Sequence, residues 1–267
     1  MSVWHANAGC VRRAIAVHRW TLGALLAALV AGCVASGNTG TKSNGNASVI
    51  NLQLGIAYLK QGDLATAKEK LERARMQDPS NAQIRSALAL LYERLGNDAD
   101  ADEQYRSAQK LAPDDPDVLN NYAIYLCRRG RVDEGVRRFE QAAKNRLYRT
   151  PWSAYTNAGV CLHNAKRDAE AQARFERALR FNPSYAEAAV QLASLNLMQQ
   201  RYTAAQATVE DFLARNDATA DLLLLGWRVA QAQQDQDRLE RYAQRLIKEF
   251  PNSEQARVVV SSGANRT

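Results

Sequence analysis

Small and bulky residues recur along this chain with a period of 34 residues, and that period restricts the fold more than any other feature. When Gly55 is counted as the eighth residue of a unit, the eighth positions are all small: Gly55, Ala89, Ala123, Gly159 and Ala193. The twenty-fourth positions are bulkier: Leu71, Tyr105, Phe139, Phe175 and Val209. The chain is therefore built from one structural unit repeated about six times.

The pattern is typical of paired antiparallel helices, because small residues let two helix axes approach while a bulky residue fills the seam between them. Prolines near the thirty-second position end the second helix, and Gly62, Gly96 and Gly130 fall at the turn between paired helices, where a left-handed residue is least strained. These features resemble tetratricopeptide repeats. We predict an all-α, right-handed superhelical solenoid of about six repeats over residues 48–257.

The spacing departs from 34 at one place. Between the third and fourth units it is 36, which predicts a longer loop near Leu147 to Pro151. The fifth unit has Phe212 where alanine is expected, and the sixth keeps only Gly226 and Pro251 of the pattern. Terminal repeats often depart from the consensus because one of their faces has no neighbour.

The first residues read as a targeting segment. Basic residues precede an apolar run at 22–30, which is about half the length that a membrane-spanning helix needs. Val30-Ala31-Gly32-Cys33 resembles the lipobox of bacterial lipoproteins, and this implies a signal peptide at 1–32 and a lipid on Cys33. Val34, rather than Asp, follows the cysteine and favours the inner leaflet of the outer membrane. The alternative is an ordinary secretory signal with an incidental cysteine.

The residues on either side of the repeats are polar. Residues 33–47 are rich in Gly, Ser, Asn and Thr, and we predict that they form a flexible tether behind the lipidated cysteine. Residues 258–267 become polar again, and we predict a disordered tail. The lipid would then be the protein's one attachment to the membrane.

Charge and residue types argue against several functions. The formal net charge is +7, but Arg12, Arg13 and Arg19 belong to the leader, and no dense Lys/Arg run follows it, so nucleic acid is not an expected partner. His163 is the one histidine after the leader, and no glycine-rich phosphate loop is present. We predict no enzymatic activity, no metal and no cofactor.

Cys127 and Cys161 fall on the first helices of adjacent units, which are neighbours in such a solenoid. Because the periplasm oxidises thiols, a disulfide between them is the expected state. The alternative is that each cysteine is a small buried apolar residue in its own seam.

First helices line the concave wall of this kind of solenoid, and that wall is the candidate binding groove. Its candidate residues are more apolar than solvent requires, or are asparagines suited to a bound peptide backbone: Leu52, Ile56, Leu59, Leu90, Asn121 and Asn157. The alternatives are that the asparagines are structural and that Leu52 and Ile56 belong to the seam.

Beyond the generic repeat pattern, several strings resemble the PilF/PilW family of type IV pilus biogenesis lipoproteins. They are Asn120-Asn121-Tyr122, Leu126-Cys127, Tyr148-Arg149-Thr150-Pro151, Asn157-Ala158-Gly159-Val160-Cys161 and Leu223-Leu224-Leu225-Gly226-Trp227-Arg228. The resemblance implies a pilotin: an outer-membrane-anchored, monomeric adaptor that helps the pilus secretin reach the membrane and form its multimer. The competing hypothesis is a repeat lipoprotein that serves cell-wall or division enzymes.

Overall fold

The computed structural model describes residues 40–264, and the regular secondary structure of this part of the chain is entirely α-helical. The helices are α1 Gly40–Gln61, α2 Leu64–Gln77, α3 Ala82–Arg94, α4 Asp98–Leu111, α5 Pro116–Arg128, α6 Val132–Lys144, α7 Pro151–Asn164, α8 Asp168–Phe181, α9 Ala186–Met198, α10 Tyr202–Leu213, α11 Ala220–Gln233, α12 Gln236–Glu249 and α13 Glu254–Ala264. None of them is both long and apolar enough to cross a membrane.

Consecutive helices pack as pairs, from α1 with α2 to α11 with α12, and α13 follows the last pair. The first helices of successive pairs also contact one another, in the order α1, α3, α5, α7, α9 and α11. They form a continuous wall of the molecule. The all-α repeat fold predicted from the 34-residue period is confirmed.

The seam inside each pair lies where the small and bulky positions predicted it. A Cβ atom on Gly55 would lie 2.5 Å from Cδ2 of Leu71, so no larger residue fits there without movement. Gly226 stands in the same relation to Tyr242, whose ring would be 2.7 Å from an added Cβ. The sixth unit is therefore a complete helix pair, although its sequence keeps little of the consensus.

The turns within the pairs use the left-handed backbone that the glycine positions predicted. Gly62, Gly96 and Gly130 have φ values of 83°, 72° and 76°. The corresponding residues of the later units are not glycine, yet they have the same conformation: Lys166, Gln200 and Gln234, with φ values of 63°, 58° and 58°. These residues accept a strained backbone because the turn geometry is fixed by the packed helices.

The longer loop predicted between the third and fourth units is present. α6 ends at Lys144 and α7 begins at Pro151, so residues 145–150 connect the pairs, whereas residues 182–185 suffice between α8 and α9.

The N-terminal boundary differs from the sequence prediction. α1 already begins at Gly40, so the prediction of a flexible tether is wrong for residues 40–47. Near the end of this added stretch of α1, the Asn51 amide donates to the carbonyl of Ala47 (3.0 Å) and to Oε1 of Gln77 on α2 (2.9 Å). Ser48 is buried. The predicted signal peptide and Cys33 lie outside the described residues.

The C-terminal boundary differs as well. Residues 258–264 belong to α13, so the predicted disorder is wrong for them. Ala256 and Val259 are buried in the apolar cluster of α11 and α12, where they cover the open side of the last pair. α13 is thus the cap that a terminal repeat requires.

Candidate protein-binding groove

The first three helix pairs enclose a cavity of about 510 Å³ on the wall made by α1, α3 and α5. We call this cavity the groove. It brings together most of the residues predicted for the binding wall: Leu52, Ile56, Leu59, Leu90 and Asn121. They come from successive first helices because each unit places the same positions on the same wall.

The floor of the groove is apolar, but its residues do not offer equal areas to a partner. Leu52 and Leu59 line the cavity but are buried in the apolar cluster of the first two units, so they expose little side-chain area to it. Ile56 is 37% exposed, and Leu90 is half-buried. Ile56 and Leu90 are therefore the side chains with apolar area left to bury.

A polar group that sequence reasoning missed also lines the groove. Ser86 on α3 is only 9% exposed, and its Oγ has no hydrogen-bond partner among the described residues. A buried hydroxyl without a partner is unfavourable by about 1–3 kcal/mol. A single serine in a helical pattern gives no sequence signal of this kind. The Oγ atom has almost no accessible surface, so a bound segment reaches it only if the side chain turns toward the cavity.

The rim of the groove carries polar and charged groups. Asn121 is exposed and makes no side-chain hydrogen bond to any described residue. The Arg128 guanidinium at the end of α5 pairs with Glu93 at the end of α3, with 2.6 Å between Nη1 and Oε1. Arg94 also lines the cavity, and no carboxylate of the described chain lies within ion-pair distance of it. The rim thus offers one unpaired cation, Arg94, and one free amide, Asn121, beside the Arg128–Glu93 ion pair.

Two titratable groups of the groove have shifted pKa values. Burial is the main cause that raises the pKa of Tyr105, and the Glu93 charge adds to it; the phenol stays protonated and donates to Glu93 over 3.4 Å. Burial likewise raises the pKa of Asp117, and the charge of Asp115 raises it further. Asp117 is therefore a weaker acid than a fully solvated aspartate.

The structure separates Asn157 from the other candidate residues. Its amide donates to Oδ1 of Asn120 over 3.1 Å, and it lines a neighbouring cavity of about 270 Å³. Ile124 and Arg128 border both cavities, so the wall continues from α5 to α7. The Cys127–Cys161 disulfide lies in the wall of the second cavity, with 5.6 Å between the two Cα atoms.

The described residues contain no group of three or more His, Cys, Asp or Glu placed to hold a metal ion. His163 makes a 2.7 Å contact from Nδ1 to Oδ1 of Asp168, and this hydrogen bond is the main cause that lowers the pKa of Asp168. The pair lies on the turn between α7 and α8. It links the two helices of one repeat.

Helix pairs with a concave wall of this kind define a tetratricopeptide-repeat protein, and the tetratricopeptide repeat family matches residues 52–116 and 123–186. The type IV pilus assembly protein PilF of Pseudomonas aeruginosa is 32% identical over 233 residues, which cover 86% of this chain and 92% of PilF. The chain belongs to the PilF family.

Solved structures agree with this assignment. The structure of PilF from Pseudomonas aeruginosa matches with a TM-score of 0.63 and 30% identity, over 82% of this chain and 99% of that one. The structure of PilW, described as a widely conserved type IV pilus biogenesis factor, also matches with a TM-score of 0.63 and 30% identity. That match covers 80% of this chain and 98% of PilW.

Proposed function

We propose that this protein is a pilotin of type IV pilus biogenesis: a periplasmic adaptor, anchored in the outer membrane, that binds a segment of the pilus secretin in the groove. Binding would help the secretin to reach the outer membrane and to form its multimer. Membership of the PilF family supports the link to the pilus, because PilF and PilW are described as pilus assembly and biogenesis proteins.

The observation that carries the binding role is the groove, with its partly exposed apolar floor and its unsatisfied hydroxyl. Ile56 and Leu90 have apolar area to bury, and the Ser86 Oγ needs a partner. A solenoid forms its concave wall before the partner arrives, so little ordering free energy is lost on binding. A few desolvated contacts then suffice for most of the affinity.

These groups indicate the chemistry of the bound segment. An apolar side chain would pack on Ile56 and Leu90, and its backbone would pair with the Asn121 amide and the Ser86 hydroxyl. Arg94 at the rim, which has no carboxylate partner in the described chain, favours a carboxylate beside the apolar residue. The segment of the secretin is thus expected to be short and apolar, with one acidic residue beside the apolar side chain.

The lipid anchor completes the proposal. A lipid on Cys33 would tether the repeat domain, and with it the groove, to the outer membrane. A bound secretin segment would then be attached to the membrane into which the secretin inserts.

The experiment compares Ile56→Asp with Ile50→Asp in cells. Both isoleucines lie on α1 and both are exposed, but only Ile56 lines the groove. A charge placed against an apolar partner has a desolvation penalty of a few kcal/mol, so Ile56→Asp should weaken binding tenfold or more and reduce secretin multimers. Ile50→Asp should leave them unchanged.

The helix content and melting temperature of both variants are measured beside the multimers. Normal multimers in a folded, anchored Ile56→Asp variant would show that the secretin binds elsewhere. If Ile56→Asp does not fold, Asn121→Ala replaces it, because the Asn121 side chain has no hydrogen bond within the described chain that the substitution could break.

A further inference from the structure

A second cleft, of about 350 Å³, lies at the loop that follows α6, and it shares no lining residue with the groove. We call it the loop cleft. It is bounded by the end of α6, the start of α7 and the end of α8. Part of its lining belongs to the loop at residues 145–150, where the spacing between units is 36 instead of 34.

Aromatic rings form the inner wall of the loop cleft. Tyr155 is buried and stacks on Phe181, with 5.4 Å between the ring centroids. The guanidinium of Arg177 lies 4.9 Å from the centre of the Tyr155 ring. Phe181 is nonetheless 50% exposed, so the stacked rings leave apolar area open to a ligand.

Two side chains of the loop hold it in place: Tyr148 packs against the apolar core, and Asn145 bonds to backbone groups. Asn145 donates from Nδ2 to the carbonyl of Asp114 (2.7 Å), and its Oδ1 accepts from the backbone N–H of Leu147 (2.9 Å). Leu147 is 87% exposed, more than any other large apolar side chain of the described residues. A fixed loop that presents an apolar side chain loses little entropy when a partner covers it.

The loop cleft is also surrounded by unpaired positive charge. On the neighbouring surface, arginines are matched across adjacent helices, as in Arg167–Asp133 and Arg174–Glu140. The three cations that line the loop cleft are exposed, and no carboxylate of the described chain lies within ion-pair distance of them: Lys144, Arg146 and Arg177. The nearby Asp114 carboxylate accepts from Gln141, and the Asp117 charge lies close enough to Tyr148, a lining residue of the cleft, to help raise the pKa of that phenol.

We propose that the loop cleft is a second docking surface, which takes an acidic segment of a partner protein. One aromatic or aliphatic side chain of that segment enters the cleft against Phe181, and its carboxylates pair with Arg146 and Arg177. A concave site with aromatic rings inside suits a single apolar side chain. Because the groove and the loop cleft share no residue, both can be occupied at once, and the protein can join two components.

The test uses the full chain, purified in detergent, and a fluorescent peptide in which Asp and Glu residues surround one Phe. Wild-type protein should bind the peptide saturably in an anisotropy titration. Arg146→Glu combined with Arg177→Glu should weaken binding tenfold or more, and Phe181→Ala should weaken it severalfold without any change of charge. A peptide with Gly in place of Phe should bind as weakly to the wild type as the Phe peptide binds to Phe181→Ala.

The matched control is Arg241→Glu combined with Lys248→Glu, which makes the same change of net charge at exposed positions of α12. The control should keep wild-type affinity. The proposal is overturned if the wild type does not bind the peptide, if the control loses as much affinity as the Arg146 and Arg177 variant, or if Phe181→Ala has no effect. A further test replaces the peptide by vesicles of anionic lipid. The proposal is overturned if the double substitution of Arg146 and Arg177 weakens binding to the vesicles but not to the peptide, because the surface would then contact a membrane.

Discussion

The disulfide between Cys127 and Cys161 joins α5 to α7, two first helices of adjacent repeats, across 34 residues of sequence. Gly135 on α6 packs beside it: a Cβ atom there would lie 2.5 Å from Sγ of Cys127. The bridge lies in the wall that continues from the groove toward α7. It therefore fixes the relative position of two of the helices that form the concave wall.

Reduction of this disulfide should destabilise the protein. Closing a loop of this length restricts the unfolded chain by about 3–4 kcal/mol, so reductant should lower the melting temperature by several degrees. The double variant Cys127→Ala with Cys161→Ala should melt at the reduced temperature and be insensitive to reductant. If both thiols of the untreated periplasmic protein react with a maleimide, the cysteines are not bridged in the cell.

The helix seams could be predicted from the sequence because they depend on residue size at a fixed period. Gly55 and Leu71 meet in the first pair, as their positions eight and twenty-four indicate. Gly226 and Tyr242 meet in the same way although little else in the sixth unit follows the pattern. A large side chain on one helix requires a glycine at the facing position of the paired helix. This requirement fixes the residue types at both positions, so they remain recognisable where the rest of the repeat has changed.

The ends of the domain and parts of the two clefts could not be predicted in this way. Residues 40–47 look like a linker by composition, but they belong to α1, and Asn51 bonds both to Ala47 at the end of this stretch and to Gln77 on α2. Ser86 is unusual only because its neighbours leave its hydroxyl unpaired. Such properties arise from tertiary contacts, so they cannot be predicted from the polarity or the period of the local sequence.

Gln200→Gly should stabilise the protein. Gln200 has a φ of 58° in the turn between α9 and α10, where glycine is found in the first three repeats. Glycine removes a backbone strain of about 1–2 kcal/mol from the folded state. It also raises the conformational entropy of the unfolded state, which offsets part of this gain, so we expect the free energy of unfolding to rise by up to about 1 kcal/mol. The matched control is Gln200→Ala, which removes the same side chain but keeps the positive φ, and it should not stabilise the protein. Chemical denaturation measures both, and equal effects would contradict the argument.

Cys33→Ser should release the protein from the outer membrane. Only the cysteine thiol can accept the lipid, and several buried acyl chains make the attachment effectively stable. Fractionation of cells should then find the variant uncleaved or in the soluble periplasmic fraction. Cys10→Ser, which lies in the predicted leader, is the matched control and should fractionate like the wild type. Outer-membrane localisation that survives Cys33→Ser would contradict the lipobox.

Ser86→Ala should separate stability from binding. The Ser86 hydroxyl is buried without a partner in the described chain, so its removal should leave the free energy of unfolding unchanged or raise it by about 1–3 kcal/mol. If the hydroxyl pairs with a bound secretin segment, the same substitution removes one hydrogen bond of about 0.5–1.5 kcal/mol and weakens binding about two- to tenfold. Ser107→Ala, on α4 and away from the groove, is the matched control and should not affect secretin multimers. Denaturation and the amount of secretin multimer are measured for both variants. A more stable Ser86→Ala protein that assembles fewer multimers would fit a hydroxyl reserved for the partner, whereas unchanged multimers would mean that the bound segment does not reach α3 at this position.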